Sequence, residues 1–435
     1  MKVIHLTTVD LSLRYLVLPQ LEAIVARGGE AIGISAPGPW VADLERAGIR
    51  HLALPSSTRG VSPLADLRAA IELWRHLRRE RPDVLHTHNP KPGIYGRVLG
   101  RLSGVPIVVN TVHGLYAAPD DTIVKRVIVY LLEAVAARFS DAELVQSSED
   151  LRLIQRLRIA PAGRVRLLGN GVDLGRFDAG RWTAEDRRRI RASLGAEDHD
   201  IVVGIVGRLV AEKGYPEFLS AVEALDERYR TVVIGPEDPD KADALNPAII
   251  ERAKSRGATF LGMRTDVDEL YAAMDMFVLP SHREGFPRSA MEAAASGLPV
   301  IATDIRGCRE VVDHGVNGLL VPVADRDALA RAIRQLGDDD LGRRAMGEAG
   351  RRKAARSFDE NHVVDVVLDS YRRVARAKGQ QRLTSALGPP PPAQIRSAVD
   401  GDAPHLARLH ATSITGGFLS SLGRRFLIVL YRSMI

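Results

Sequence analysis

Residues 201–209 read IVVGIVGRL, a run of β-branched residues broken by glycine and closed by a charge. A run of this kind suits a strand buried on both faces, and such strands belong in parallel sheets. It restarts a pattern that the chain has already run once. Upstream, β-rich segments at Val3–Leu6, Ala31–Ser35, Val84–His86, Ile107–Asn110, Glu143–Gln146 and Val165–Leu168 alternate with amphipathic stretches such as Arg14–Ala26, Leu64–Arg79 and Thr122–Arg138. Downstream, strands centre on TVVIG near Val232, TFLG near Phe260, MFVLP near Phe277, PVIAT near Val300 and GLLVP near Leu320. Strands alternating with helices imply parallel sheets with helical cover. The chain therefore reads as α/β, with two doubly wound, Rossmann-like domains facing a cleft.

The boundaries follow from composition. Residues 1–175 form the first domain, 176–200 a polar, arginine-rich connection, and 201–355 the second domain. A C-terminal helix at 356–380 could pack on either domain. The segment 381–394 holds the prolines of GPPPPA and reads as a stiff linker. Residues 395–435 read strand, helix, helix, a short α/β fragment too small to stand alone, as if a domain began there and its remainder were missing.

With 435 residues, 45% hydrophobic and 26% charged, the chain is neither disordered nor fibrous. No run of about 18 apolar residues marks a transmembrane helix, and MKVIHLTT is too short an apolar run for a signal peptide. The single cysteine, Cys308, makes neither an intramolecular disulfide nor a thiolate metal cage, which fits a reducing cytoplasm. The net charge of +6 rests on 60 basic residues, eight of them lysine. That is either an arginine-biased composition or a preference for phosphates or an anionic membrane. No zinc-finger, RNP or basic-zipper pattern points to nucleic acid.

The most informative segment is EGFPRSAMEA, Glu284–Ala293, between the strand MFVLP and a helix starting near Pro287. Open α/β sheets bind ligands at the carboxyl ends of their strands, and a helix N-terminus there attracts anions. Glu284 falls in the loop and Glu292 two turns into the helix. Carboxylates accept hydrogen bonds from vicinal hydroxyls, so a sugar and a ribose are natural partners. The simpler alternative pairs Glu292 with a surface arginine. A second element follows IVVGIVG, where Arg208 and, in GRLVAEKGY, Lys213 could clamp a diphosphate without a metal.

Together, GRLVAEKG and the Glu-x7-Glu pattern in REGFPRSAMEAAASGLPVIATDIRGCREVV resemble the retaining GT-B glycosyltransferases of family 4, from Met1 to about Lys378. The resemblance implies a GT-B fold. It also implies that Arg208 and Lys213 hold the donor diphosphate, Glu284 meets the transferred sugar and Glu292 binds the ribose. Gly285, Phe286, Pro287, Arg288 and Ser289 would cradle sugar and phosphate, and Gly262, Met263 and Arg264 would lie near the base. His113, in TVHG at the end of PIVVN, would position the donor sugar; by itself a lone histidine is more often structural. Catalysis would thus fall to His113, Glu284, Arg208 and Lys213, with retention by front-side attack.

HTHNPKPGIYG, His86–Gly96, offers two histidines two residues apart, but no third ligand for a metal is apparent. As an acceptor rim it contributes His88, Asn89 and Lys91. Relatives carry a Gly-Gly loop after the first strand, whereas Thr7–Gln20 has no glycine, leaving Ser12 and Arg14 as substitutes. The resemblance extends to bacterial enzymes of capsule, O-antigen and exopolysaccharide assembly, implying an undecaprenyl-linked saccharide acceptor. The expected reactant is a nucleotide sugar, UDP-linked, with no cofactor and no metal. The expected location is cytoplasmic, peripheral on the inner face of the plasma membrane. Thr122–Arg138 is either an interfacial helix or a core-packed one. The tail IRSAVDGDAPHLARLHATSITGGFLSSLGRRFLIVLYRSM resembles the start of a GNAT N-acetyltransferase domain without its later Gly-rich loop, so no acetyl transfer is expected. The rival readings are a non-catalytic nucleotide-sugar-binding or partner protein and a UDP-GlcNAc epimerase-like enzyme.

Overall fold

The computed structural model describes residues 1–389 except 59, 61, 89, 118–120 and 240. The GNAT-like fragment at 395–435 and all but the first of the linker's prolines lie outside the described residues.

The first sheet contains β1 (Lys2–Val9), β2 (Glu30–Ala36), β3 (Arg50–Ala53), β4 (Val84–His88), β5 (Ile107–Val112), β6 (Ala142–Val145) and β7 (Val165–Leu167), in the order β3-β2-β1-β4-β5-β6-β7. The second contains β8 (Ile201–Val206), β9 (Tyr229–Ile234), β10 (Thr259–Phe260), β11 (Met276–Leu279), β12 (Val300–Thr303) and β13 (Gly318–Val321), in the order β10-β9-β8-β11-β12-β13. All the paired strands are parallel. The strand order reverses between β1 and β4 in one sheet and between β8 and β11 in the other. Those switch points are where open sheets of this kind take ligands.

Both faces of each sheet are apolar because both are covered. Along β1, Val3 joins the core on one face while Ile4 and Leu6 join the core on the other. β3, whose sequence RHLA carries little apolar signal, was not among the expected strands; it forms as an edge strand beside β2.

Composition misplaced two segments and left the packing of a third open. Phe177, Ile190 and Leu194 of the expected connection are buried in the second core, so 176–200 belongs to that half. The C-terminal helix runs Glu360–Ala377 and returns to the first half, burying Val363, Val367, Leu368 and Tyr371 there. The expected linker opens with a helix, Gln381–Ala386, that buries Leu383 against the same core. The two chain crossings run side by side, with Val172 bridged to Asp359. Gly171 permits this, since a Cβ there would lie 2.5 Å from the Glu360 backbone.

Candidate active site

The loops after β8 and β11 meet backbone to backbone. Gly214, at φ +74°, ends the turn Ala211–Lys213, and a Cβ there would lie 2.1 Å from the Pro280 carbonyl oxygen. This contact brings Lys213 to Glu284: Lys213 Nζ donates to Glu284 Oε1 at 2.6 Å, and Ser281 Oγ donates to the same oxygen at 2.7 Å. Nearby, Arg208 Nη1 donates to Asp238 Oδ2 at 2.6 Å. Both cations expected on a diphosphate thus rest on carboxylates.

Glu292 lies on the helix Arg288–Ala295, its side chain 14% exposed. It accepts from Arg288 Nε at 3.0 Å and from Tyr271 Oη at 3.3 Å. The arginine pairing foreseen as the simpler alternative exists, with both partners partly buried rather than on the open surface. Burial pushes the Glu292 carboxyl up, against the pull of Arg288.

Arg288 also reaches the first half, where its Nη1 donates to the Tyr15 carbonyl at 2.8 Å. Four residues beyond Tyr15, Pro19 has no N–H to give that carbonyl, and Leu13–Val17 winds as a π turn before the helix Leu18–Val25. The glycine-free first loop is therefore a helical turn that presents a carbonyl to the second half.

Further along the cleft, the backbones of His113 and Gly285 touch. A Cβ on Gly285 would lie 1.8 Å from the His113 carbonyl oxygen, and Gly114 faces it at φ +134°. The halves are also joined electrostatically. Glu310 Oε1 accepts from Ser148 N at 2.7 Å and Glu149 N at 3.3 Å, at the N-terminus of the helix Ser148–Leu157. Arg306 pairs with Asp150 and Arg309 with Glu149 beside it. A cavity of about 270 Å³ here is lined by Thr7, Ser12, Leu16, His88, His113 and Arg208, among others. A larger one, about 410 Å³, opens beside Trp182 and Pro299 at the amino-terminal end of the second sheet and holds none of the motif residues.

Of the expected acceptor residues, Ser12 and His88 line the cavity. Arg14 and Lys91 do not: Arg14 Nε donates to Asp43 at 2.9 Å, and Lys91 Nζ is held by Asp66 and by the Gly60 carbonyl at 2.7 Å. Each cation has found a nearer carboxylate within its own half, which spacing alone did not reveal. Asn89 lies outside the described residues. Gly262, Met263 and Arg264 follow β10, two strands from β8; Met263 is exposed and Arg264 pairs with Asp266.

The sequence reading missed His5, which supplies the third imidazole near His86 and His88, with ring nitrogens within 4.8 Å of one another. A polar residue inside the apolar strand VIHL was the available signal. These nitrogens are not an open donor set. His5 Nδ1 meets His88 Nε2 at 3.1 Å, and His5 Nε2 meets Tyr371 Oη at 3.1 Å. His86 bonds Tyr371 at 2.6 Å and Thr111 at 2.7 Å, and His88 Nδ1 meets His113 Nε2 at 2.8 Å.

Burial pushes His5 down to about 3 and His113 to about 4, and His86 and His88 well below the ordinary value. Histidines held neutral in the fold take up protons on unfolding, so their stabilisation is complete above about pH 6.5 and is lost as the pH falls toward the folded values. With four such groups in one cluster, stability should fall steeply as the pH drops below about 6.5. Urea unfolding from pH 7.5 to 5.5 should show this fall; a flat profile would mean that the cluster is solvated or charged.

Two family descriptions match the chain: "Glycosyl transferases group 1" over residues 186–353 and "Glycosyl transferase 4-like domain" over residues 16–171. The UDP-Gal:alpha-D-GlcNAc-diphosphoundecaprenol alpha-1,3-galactosyltransferase of Escherichia coli is 30% identical over 329 residues, covering 74% of this chain and 84% of that protein. The capsular polysaccharide biosynthesis glycosyltransferase CapM of Staphylococcus aureus is 26% identical over 386 residues, covering 85% and 96%. Among solved structures, Anabaena Alr3699/HepE in complex with UDP-glucose superposes with a TM-score of 0.69 at 20% identity, covering 87% of this chain and all of that one, a likeness of fold.

Proposed function

The chain belongs to the glycosyl transferases of group 1, and from that premise we propose that it is a retaining, metal-independent enzyme that moves a sugar from a UDP-linked donor to a lipid-linked saccharide in cell-surface polysaccharide assembly. In this reading Arg208 and Lys213 exchange Asp238 and Glu284 for the donor diphosphate. Glu284, released, meets the sugar hydroxyls, while Glu292 receives the ribose and the segment Gly262–Arg264 lies by the base. Backbone groups from Gly285 to Ser289 cradle sugar and phosphate, and His113 positions the sugar. The bond from the anomeric carbon to the diphosphate oxygen breaks, the acceptor oxygen bonds from the same face, and the departing phosphate takes the acceptor proton. Fixed cations stabilise the charge growing on that phosphate, so a metal has no part in this reading.

The observation that carries the acceptor class is the helix Ile123–Ala136, which is inside out. Its buried side holds Glu133, whereas Ile123, Val124, Val127, Ile128, Leu131, Leu132 and Val135 are between 45% and 75% exposed. An apolar face of this size on a surface helix suits the headgroup boundary of a bilayer. Just before it, Asp121 pairs with Arg283, the residue preceding Glu284, so the apolar face begins beside the candidate site. Among the described residues no helix is long and apolar enough to cross a membrane. This supports peripheral attachment at the cytoplasmic face, with the acceptor lipid in the bilayer and its saccharide in the cleft. Val127→Asp with Leu131→Asp should abolish sedimentation with anionic vesicles and spare transfer to a detergent-free, short-chain acceptor. Unchanged vesicle binding would remove the membrane face.

The donor reading is tested by UDP titration in EDTA. Arg208→Ala and Lys213→Ala should each weaken UDP about 10–100-fold, since a hydrogen bond to a charged group contributes about 1.5–3 kcal/mol. Unchanged affinity in both variants would sink the diphosphate clamp.

A further inference from the structure

The five hydrogen bonds linking Thr111, His86, Tyr371, His5, His88 and His113 form one unbranched chain, with lengths between 2.6 and 3.1 Å. Its placement follows from strand alternation. Val3 and His5 share a face of β1, Val84, His86 and His88 share one of β4, and Ile107, Val109 and Thr111 share one of β5. All three strands turn that face to the helix Glu360–Ala377. The amino-terminal members, Val3, Val84, Ile107 and Val109, pack apolar side chains against it, while the carboxyl-terminal members are polar and meet Tyr371.

A neutral imidazole has one donor nitrogen and one acceptor. Along an unbranched chain of such groups, the tautomer of one member dictates all the others. With the buried Tyr371 hydroxyl hydrogen spent inside the chain, only two orders satisfy every bond. In one, His113 Nε2–H donates to His88, His88 to His5, His5 to Tyr371, Tyr371 to His86 and His86 to Thr111. In the other each donor and acceptor is exchanged, and the hydrogen of His113 sits on Nδ1. Thr111 and Tyr371 hydroxyls serve in either order. So does the amide of Gln146, which bonds His113. The end groups accept either order, so the choice is made along the chain itself, whose His5, His86 and His88 are buried while His113 is partly exposed at the cavity.

We propose that His88, His5 and Tyr371 are positioning residues acting through His113: their chain sets which nitrogen of His113 carries its hydrogen, and so whether Nδ1, the nitrogen turned away from His88, donates to or accepts from a sugar hydroxyl that takes the place of the Gln146 amide. This rests on the reading of His113 as a sugar-positioning group. Tyr371 is carried by the helix that returns from the second half, so the returning segment contributes to a site in whose cavity it has no side chain.

The test is the tautomer of each histidine, read from nitrogen-15 spectra of the whole protein labelled at histidine, beside kcat and UDP affinity. In the parent, one tautomer of His113 should account for the signal. Tyr371→Phe keeps the ring and cuts the chain at its middle; it should give His113 a mixture of tautomers and lower kcat about tenfold, with UDP affinity unchanged. Thr111→Val, which trims the far end, is the second variant should the first fold poorly, and should redistribute the tautomers in the same sense. Unchanged His113 tautomers in both variants would overturn the proposal, whatever happens to the rate. A redistribution without loss of kcat would overturn the positioning role. Zinc titration that removes the N–H signals of His5, His86 and His88 together would also overturn it, in favour of a metal site. Because the spectra need neither donor nor acceptor, failure of the chain is distinguishable from failure of the glycosyl-transfer reading, which the UDP titration and the transfer assay address.

Discussion

Glu284→Ala is expected to lower sugar transfer by about 10²–10³-fold, the typical loss on removing one fixed polar group from a charge-developing site, while UDP binds at least as tightly as before. The two effects separate because of the Lys213–Glu284 pair. Without ligand, the Lys213 ammonium rests on the Glu284 carboxylate at 2.6 Å. A diphosphate must take Lys213 away from that partner, so the intact carboxylate competes with UDP. Removing it deletes the contact to the sugar and the competitor together. Transfer measured with a saturating UDP-sugar, beside calorimetry with free UDP, reads both. Parallel loss of rate and UDP affinity would mean that Glu284 only holds Lys213 in place.

The second large effect is on stability. Arg97 is fully buried, bonded through Nη1 to Glu143 at 2.9 Å and through Nη2 to Glu133 at 2.5 Å. Glu143 further accepts from Asn110 Nδ2 at 2.8 Å. Arg97→Ala strands two carboxylates in the first core, and breaking a buried pair from one side costs about 3–5 kcal/mol. Burial already pushes the Glu133 carboxyl up. Without its cation that group can take a proton, so the deficit should shrink as the pH falls from 8 to 6. Chemical denaturation of both proteins across that range checks the size and the pH trend. A loss below about 1 kcal/mol would show that water reaches the stranded carboxylates. The substitution also removes an anchor of the inside-out helix, which Arg97 holds through Glu133.

The two effects differ in how far they could be foreseen. Glu284, Arg208 and Lys213 follow the carboxyl ends of β11 and β8, with Glu292 on the helix after Glu284, in segments whose glycine, proline and charge pattern is local; the structure joins Lys213 to Glu284 where the strand order reverses. For Arg97 the local signal misleads. It lies in an amphipathic stretch among other arginines and would be assigned to solvent, yet its partners lie 36 and 46 residues away. Arg14 and Lys91 show the converse: the loops that carry them were read as an acceptor rim, and without ligand Asp43 and Asp66 hold them.

By itself the sequence determined the α/β class, two parallel sheets, most strand positions and the motif that identifies the family, because strand period, turn chemistry and short-range spacing are properties of neighbouring residues. Only the tertiary structure decided which half receives the last helix, which side of Ile123–Ala136 faces out, and that Tyr371 closes a chain with His5 across 366 residues. Those outcomes depend on which apolar faces find each other and on which buried polar groups must then be satisfied. That balance is struck among residues distant in the chain, where no local pattern records it.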